Sequence, residues 1–487
     1  MPNMLAFDFG AASGRAILGN LEKDKLKIHE IRRFQNDPVK FSGHLQWDIL
    51  RLCHEIKESI IACSKATAGK IDSIAVDTWG VDFGLLDKEG ELIENPFHYR
   101  DERTNGMVER CLDIIGKDEL YSRTGIGFTQ YNTIYQLLAM KFLNSRALSG
   151  AQTLLLMPDL FHYFLTGEKR AEYTEATTSQ LYNHITKDWD YETIKMLGLP
   201  ENIYPKIIQP GTMVGFLKEE LSSELGVGKI PVTAAAGHDT ASAVVSIPAL
   251  SDDFIYISTG TWIMAGVEIS KPVLSKKAML NNFTNEGGFG GKITFQKNMM
   301  GTWILQECKR QWELERESYS FDQLIALAKD SSADFWIDPD DISFFAPGDM
   351  PKKIMEFCKK TGQRQPHTIG ETVRSIEESL AFKCRYNTEL IEEITGRKSD
   401  TLYMFGGGIK DELLCRMIAD TSQKSVIAGP IEATAIGNIL VQGISLGNIK
   451  NINEARTIVR NSFEIQEYLP SQDKTLQEKY STFRKLL

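Results

Sequence analysis

The chain has little of what would tie it to a membrane, a metal cluster or a nucleic acid. Its 487 residues carry 55 Lys and Arg against 65 Asp and Glu, a formal net charge of −10. That balance argues against general binding to nucleic acid and against anionic membranes. No apolar run approaches the ~20 residues needed to span a bilayer. A strand pattern begins almost at once, so no signal peptide is expected. The seven cysteines (Cys53, Cys63, Cys111, Cys308, Cys358, Cys384, Cys415) are scattered, odd in number and without a Cys-x-x-Cys. They are expected to be free thiols in a reducing cytosol, which places the protein in the cytoplasm. No His/Cys cluster has metal-ligand spacing, so zinc is not expected. None of the Gly-Lys pairs, at Gly69, Gly116, Gly228 and Gly291, is followed by Ser or Thr, which excludes a Walker-type phosphate loop.

What the chain does have is three glycine turns. Asp8-Phe9-Gly10-Ala11-Ala12-Ser13-Gly14-Arg15 follows the apolar run Met4–Phe7, and Ser258-Thr259-Gly260-Thr261 follows Phe254–Ile257. Gly406-Gly407-Gly408 follows Leu402–Phe405 and leads into a helix-like stretch from Glu412. A bare backbone lets N–H groups approach phosphate oxygens, although any one such turn is more often a plain hairpin. The first two share a strand–turn–strand pattern, which suggests two related halves facing one nucleotide. Gly10-x-x-x-Gly14 leads into a strand pattern and lacks Gly-x-Gly-x-x-Gly, which disfavours a dinucleotide fold.

At this length two domains are the default, and the junction is expected near residue 245, giving domains 1–245 and 246–487 without a Gly/Ser linker. Residues 4–35 alternate as two or three strands. Helical spacing follows over 48–66, with Ile49, Leu50, Cys53, Ile56, Ile60 and Ile61 as the apolar set. A buried strand runs from Ile71 to Asp77, and 81–86 with 91–93 brackets Asp87–Gly90 as a hairpin. Thr368 with Glu371 has capping-box spacing ahead of a stripe of Val373, Ile376, Leu380, Ala381 and Cys384. Residues 472–487 are expected to form a surface helix or tail.

Several strand ends carry polar groups. Pro231–Ala236 delivers Gly237-His238-Asp239-Thr240 where α/β folds usually put chemistry. For Asp239 two readings stand: a helix cap, or a general base that deprotonates a sugar hydroxyl as a phosphoryl group arrives. His238 is read as packed or as a sugar hydrogen-bond partner. Asp77-Thr78-Trp79-Gly80 is read either as a turn with Trp79 in the core, or as a site offering an indole face and a bare backbone to a sugar. His98–Thr104 is read as a solvated charged loop. Asp8 ends a strand before a phosphate-type turn, where a carboxylate makes sense through Mg²⁺ on the phosphates. Thr259 and Thr261 are candidate hydroxyl donors to the same phosphates, and Gly407 is a candidate backbone platform for the nucleoside.

These residues resemble the FGGY carbohydrate kinase family over essentially the whole chain. The specific stretches are Val76–Phe83, Tyr99–Gly106, Leu156–Asp159, His238–Ala243, Asn285–Gly288 and Gly429–Thr434. The resemblance implies an α/β fold of two ribonuclease H-like domains (actin/hexokinase superfamily) around a central cleft. It further implies a kinase that uses ATP and Mg²⁺ to phosphorylate the 1-hydroxyl of a small-molecule ketose, L-rhamnulose before L-fuculose. Residue by residue it makes Asp239 the catalytic base and Gly80, His238 and Thr240 sugar contacts, beside Asp77 and Trp79. Ala11, Ala12, Ser13, Gly14, Arg15, Thr261, Asn298, Gln306 and Gly407 resemble the ATP contacts. Two positions depart from the family pattern: Ala12 replaces a common hydroxyl, and Asp411 an Asn. An actin- or chaperone-like ATPase is the rival from another class, for which Asp239 and the Trp79-Gly80 strand end would be unnecessary.

Overall fold

The computed structural model describes residues 2–251, 253–473 and 475–487. Two compact units form: residues 1–250, 268–295 and 433–462 make the first, and 251–267, 296–432 and 463–487 the second.

The first unit is built on a six-stranded sheet in the order Met213–Phe216, Pro231–Thr233, Ser73–Thr78, Asn3–Phe9, Ser13–Glu22, Lys25–Gln35. Asn3–Phe9 pairs antiparallel with Ser13–Glu22 and parallel with Ser73–Thr78. Met4, Leu5, Ala6 and Phe7 are all fully buried, as expected of a central strand covered on both faces. The helix Ile49–Ala66 closes one face. Asp48 caps it by accepting the Arg51 N–H at 3.1 Å, and Leu52, Ile56, Ile60 and Cys63 enter the core. Leu50, placed in the apolar set from its spacing, is 78% exposed, and Leu52 takes the inward position. The hairpin expected over 81–93 closes as a short one: Leu86 bridges Leu92, the Asp87 N–H donates to the Glu91 carbonyl and the Ile93 N–H to the Leu85 carbonyl, both at 3.0 Å. On its other edge Phe83–Leu86 pairs antiparallel with Thr153–Leu156, which buries all four residues.

The second unit repeats the plan. Ile255–Thr259 pairs antiparallel with Trp262–Ile269 and parallel with Thr401–Phe405, which is itself parallel to Ser425–Ala428. Gln466–Tyr468 closes the far edge antiparallel. Each unit therefore holds three parallel strands, an antiparallel hairpin partner on one side and an antiparallel edge on the other. The long helix Ile369–Thr395 buries the expected stripe. Thr368 Oγ1 accepts the Glu371 N–H at 3.1 Å, but Glu371 turns to Arg364 and to the His367 N–H, so only half of a capping box forms. At the C-terminus, Thr475–Phe483 is an amphipathic helix with Tyr480 and Phe483 packed on Trp336 and Phe382; Lys474, within the expected tail, lies outside the described residues. All seven cysteines are unpaired. No helix among the described residues is long and apolar enough to cross a membrane.

Candidate active site

In the first unit three parallel strands end side by side, and their ends carry the polar groups. The register sets Asp8 against Asp77 and Phe9 against Thr78. Beyond Pro231–Thr233 the chain bridges Thr78 to His238, and the Thr78 N–H donates to the Gly237 carbonyl at 2.8 Å. Both aspartates are buried, so each must be paired or neutralised. Arg15, the cross-strand partner of Asp8, donates from Nη2 to Asp8 Oδ2 at 2.5 Å. Asp77 Oδ2 accepts from Asn438 Nδ2 at 2.5 Å, while Asp77 Oδ1 is buried without a hydrogen-bond partner. Burial, and then the charge of Asp8, hold the Asp77 carboxyl well above the usual range, against the pull of Asn438. Gln442, one turn along the helix Ala433–Ser445, donates to Asn438 Oδ1 at 2.8 Å and orients that amide.

Asp239 opens the helix Asp239–Val245, whose N-cap is His238 with no side-chain cap bond. The Asp239 carboxylate accepts the adjacent Thr240 N–H at 2.6 Å and Thr240 Oγ1 at 3.2 Å. An N-cap residue reaches two or three positions ahead, so this is not a helix cap. The Asp239 side chain stays 32% exposed, with His238 Nε2 3.4 Å from its Oδ1. The other imidazole nitrogen, Nδ1, lies 3.2 Å from Glu286 Oε2. Burial raises the Asp239 pKa, and His238 and the Thr240 donors pull it back. Burial would lower His238, but Glu286 and Asp239 outweigh it and raise its pKa. The result is an imidazole set between two carboxylates, with the Asp239 carboxylate partly open to solvent.

The Asp77–Asp82 segment flanks this group. A Cβ on Gly80 would stand 3.4 Å from the His238 ring, so the bare backbone lies against it. Trp79 is 95% buried, its ring 3.9 Å from that of Trp47, so it occupies the core. Asp82, fully buried, accepts from Trp47 Nε1 (2.7 Å), Trp79 Nε1 (3.0 Å), the Tyr99 N–H (3.1 Å) and Gln136 Nε2 (2.7 Å). Burial lifts its pKa to about 6 in spite of these donors. The loop His98–Thr104 is not solvated: His98, Asp101 and Thr104 are buried, and Asp101 accepts the Leu45 N–H at 2.7 Å. Its charges serve the architecture beside Asp82.

The first glycine turn closes through the Gly10 N–H to the Ser13 carbonyl at 3.0 Å, braced by Asn36 Nδ2 on the Gly10 carbonyl at 2.8 Å. Ala12 is exposed and Ala11 and Ser13 are half-buried. Gly14 is bare for packing, since a Cβ there would come within 2.1 Å of the Phe34 ring.

In the second unit the remaining two glycine turns meet at Thr259. A Cβ on Gly406 would lie 2.5 Å from the Thr259 carbonyl oxygen, and one on Gly408 would lie 2.8 Å from Thr259 Cβ. Thr259 is buried and its hydroxyl donates to the Phe405 carbonyl at 2.9 Å, so it is not a phosphate donor. Thr261 is exposed at the tip. Thr302 Oγ1 donates to the Gly260 carbonyl at 2.9 Å and accepts from Gln306 Nε2 at 3.0 Å, which places Gln306 beside this turn. Gly407 is exposed, with open space where its Cβ would stand. Asn298 is an exposed residue of the strand Ile293–Met300. Asp411 spends its carboxylate on the Leu414 N–H at 3.1 Å and caps the following helix.

Two neighbours of these residues, Glu286 and Asn438, have no signal in the sequence that singles them out. Glu286 lay in a family-specific stretch, yet only the fold brings it to His238. Asn438 lies 361 positions from Asp77 and has no local signal at all.

A sheet plan used twice, with a glycine turn in the corresponding hairpin of each copy, is the architecture of ATP-dependent sugar kinases of the actin/hexokinase-like fold. A solved ligand-bound xylulose kinase from Lactobacillus acidophilus shares it at a TM-score of 0.81 and 17% identity, covering 100% of this chain and 96% of that one. Plasmodium falciparum glycerol kinase with ADP does so at 0.81 and 15%, covering 100% and 97%. The chain belongs to the FGGY family of carbohydrate kinases: the family's N-terminal domain matches residues 3–246 and its C-terminal domain 255–446. It is 42% identical to a rhamnulokinase of Halalkalibacterium halodurans over 96% of this chain and 98% of that protein. It is 40% identical to that of Bacteroides thetaiotaomicron (96% and 96%) and 37% to that of Bacillus subtilis (96% and 95%).

Proposed function

We propose that this chain transfers the γ-phosphoryl group of ATP to the 1-hydroxyl of L-rhamnulose, giving L-rhamnulose 1-phosphate and ADP. The observation that carries the reading is full-length identity of 35–42% to rhamnulokinases, joined to a partly open carboxylate at the end of parallel strands. Asp239 takes the proton of the sugar hydroxyl as its oxygen bonds to the γ-phosphorus and the bond to the β–γ bridging oxygen breaks. The Thr240 N–H and hydroxyl hold the carboxylate in place, and its raised pKa makes it a stronger base than an exposed Asp. His238, set between Glu286 and Asp239, is the hydrogen-bond partner of a sugar hydroxyl. Thr240 lines the same site, with Asp77 and Trp79 behind it. Gly80 presents a bare backbone to the sugar beside the His238 ring.

On the nucleotide side, Ala11, Ala12, Ser13, Gly14 and Arg15 surround the phosphates through the first turn. Thr261, Asn298, Gln306 and Gly407 are likewise assigned to ATP. Mg²⁺ fits the residues present: Asp8 and Asp77 are adjacent carboxylates, hard oxygen donors, one with a buried oxygen lacking any partner. One or two carboxylates completed by water and phosphate oxygens are an ordinary Mg²⁺ environment. Asp8 and Asp77 would hold the ion, which supplies positive charge to the β- and γ-phosphates when bound. Unpaired thiols suit a reducing cytoplasm.

The test is Mg²⁺-dependent ADP release with L-rhamnulose, L-fuculose, L-ribulose, D-xylulose and glycerol. The highest kcat/KM is expected for L-rhamnulose. A win for L-fuculose would replace the substrate, and ADP release indifferent to sugar would overturn the kinase reading.

A further inference from the structure

One short buried helix, Tyr173–Thr178, touches every loop of the proposed sugar site. Three of its threonines do so in the same way. Thr174 Oγ1 donates to Glu172 Oε2 at 2.5 Å and accepts the His238 N–H at 3.1 Å. Thr177 Oγ1 donates to the Thr174 carbonyl at 2.8 Å and accepts the Gly287 N–H, next to Glu286, at 2.7 Å. Thr178 Oγ1 donates to the Glu175 carbonyl at 2.8 Å and accepts the Val81 N–H, next to Gly80, at 3.1 Å.

A hydroxyl has one proton. Each of these is spent inside the helix turn, so the oxygen faces outward only as an acceptor, and each takes one backbone N–H from a different loop. The three loops lie 64, 110 and 97 positions away in the chain, and the three hydroxyls are buried. Glu172 adds a fourth anchor by accepting the Gly237 N–H at 3.0 Å. The approach is close: a Cβ on Gly287 would stand 2.7 Å from the Tyr173 ring and 3.0 Å from Thr174 Cα. Val81 shows that the anchoring works against local preference. It is β-branched yet sits at φ 72°, a conformation that persists only where the surroundings impose it.

We infer that Thr174, Thr177 and Thr178 are positioning residues that set the mutual placement of His238–Asp239, Glu286 and Gly80, and through it the affinity and turnover for the sugar. The inference rests on the assignment of those residues to the sugar site. Without the Thr178 acceptor the Val81 N–H is left buried and unpaired, and Gly80 shifts relative to the His238 ring.

The experiment compares Thr178→Val with Thr178→Ser under steady-state kinetics in each substrate, with melting temperatures alongside. Valine keeps the volume and removes the acceptor; serine keeps the acceptor and loses the methyl. Thr178→Val is expected to lower kcat/KM for L-rhamnulose by about 10- to 100-fold, the usual weight of a buried unpaired donor, with KM for ATP within about twofold. Thr178→Ser should remain close to wild type. Equal sugar kinetics for Val and wild type, or a Ser variant as impaired as Val, would overturn the inference by assigning Thr178 to packing alone. If Thr178→Val does not yield folded protein, Thr177→Val and Thr177→Ser read the same contrast at the Glu286 loop, with the same outcomes deciding. A wild-type enzyme without sugar-dependent ADP release would instead remove the functional assignment beneath it.

Discussion

Replacing Asp239 by Asn tests the proposed base with almost no structural disturbance. The amide oxygen can still accept the Thr240 N–H, now at 2.6 Å, and Thr240 Oγ1 at 3.2 Å. The side chain is 32% exposed, so no cavity is created. What disappears is the proton acceptor, and a positioned base is worth about 10²–10⁴ in rate, or about 3–5 kcal/mol of barrier. We expect kcat to fall by that factor, KM for the sugar to change less than about threefold, and the melting temperature to hold or rise slightly. Because burial raises the Asp239 pKa, the ionised base is lost on acidification at a higher pH than for an exposed Asp. Wild-type kcat/KM should therefore fall along an acid limb that Asp239→Asn lacks. Steady-state ADP release across pH, with circular dichroism and thermal melts on both proteins, measures all of these. Turnover within about fivefold of wild type would refute the base assignment. So would a purely KM effect, which would make Asp239 a binding group only.

Three further outcomes follow from particular contacts. Gly407→Ala meets no protein atom within 4 Å, so its melting temperature should match wild type. A methyl intruding on bound nucleotide should nevertheless raise KM for ATP about 10- to 100-fold, with KM for the sugar unmoved; unchanged ATP kinetics would remove Gly407 from the nucleotide contacts. Gly437→Ala is the opposite case, since its Cβ would stand 1.7 Å from the Ser242 carbonyl oxygen. Forcing its helix off the one that begins at Asp239 should cost about 3 kcal/mol or more of stability and reduce kcat, whereas wild-type denaturant unfolding would contradict that packing. The Asp82 carboxyl, raised from 3.8 to about 6, holds its proton more tightly folded than unfolded. It favours folding below about pH 4, and that contribution, on the order of 3 kcal/mol, is lost as pH rises through about 6. Asp82→Asn should flatten this part of the stability profile between pH 4 and 7, and an unchanged profile would refute it.

Much of this molecule is legible locally. Strand–turn–strand patterns at Gly10 and Gly260 are read from apolar runs that must be buried and glycines that must bend, and both hairpins form. The helix Ile49–Ala66 follows from its spacing and from Asp48. Errors arise where several local solutions compete: Leu50 fits the apolar period as well as Leu52 until the sheet sets the helix rotation. Charged stretches mislead for a related reason. His98–Thr104 looks solvated because its partners, the Leu45 N–H and Asp82, belong to other segments.

The sequence by itself determined where strands end, which ends carry carboxylates and glycines, and that the plan is used twice. Those properties depend on periodicity, chain reversal and residue chemistry within a few positions. Only the tertiary structure decided which groups share an environment: Asp77 with Asn438, His238 between Asp239 and Glu286, and three loops held on the threonines of one buried helix. Hydrogen bonds and pKa shifts depend on partners, burial and charge within a few ångströms. Residues that close in space are separated here by as many as 361 positions in the chain, a distance across which no local pattern carries information.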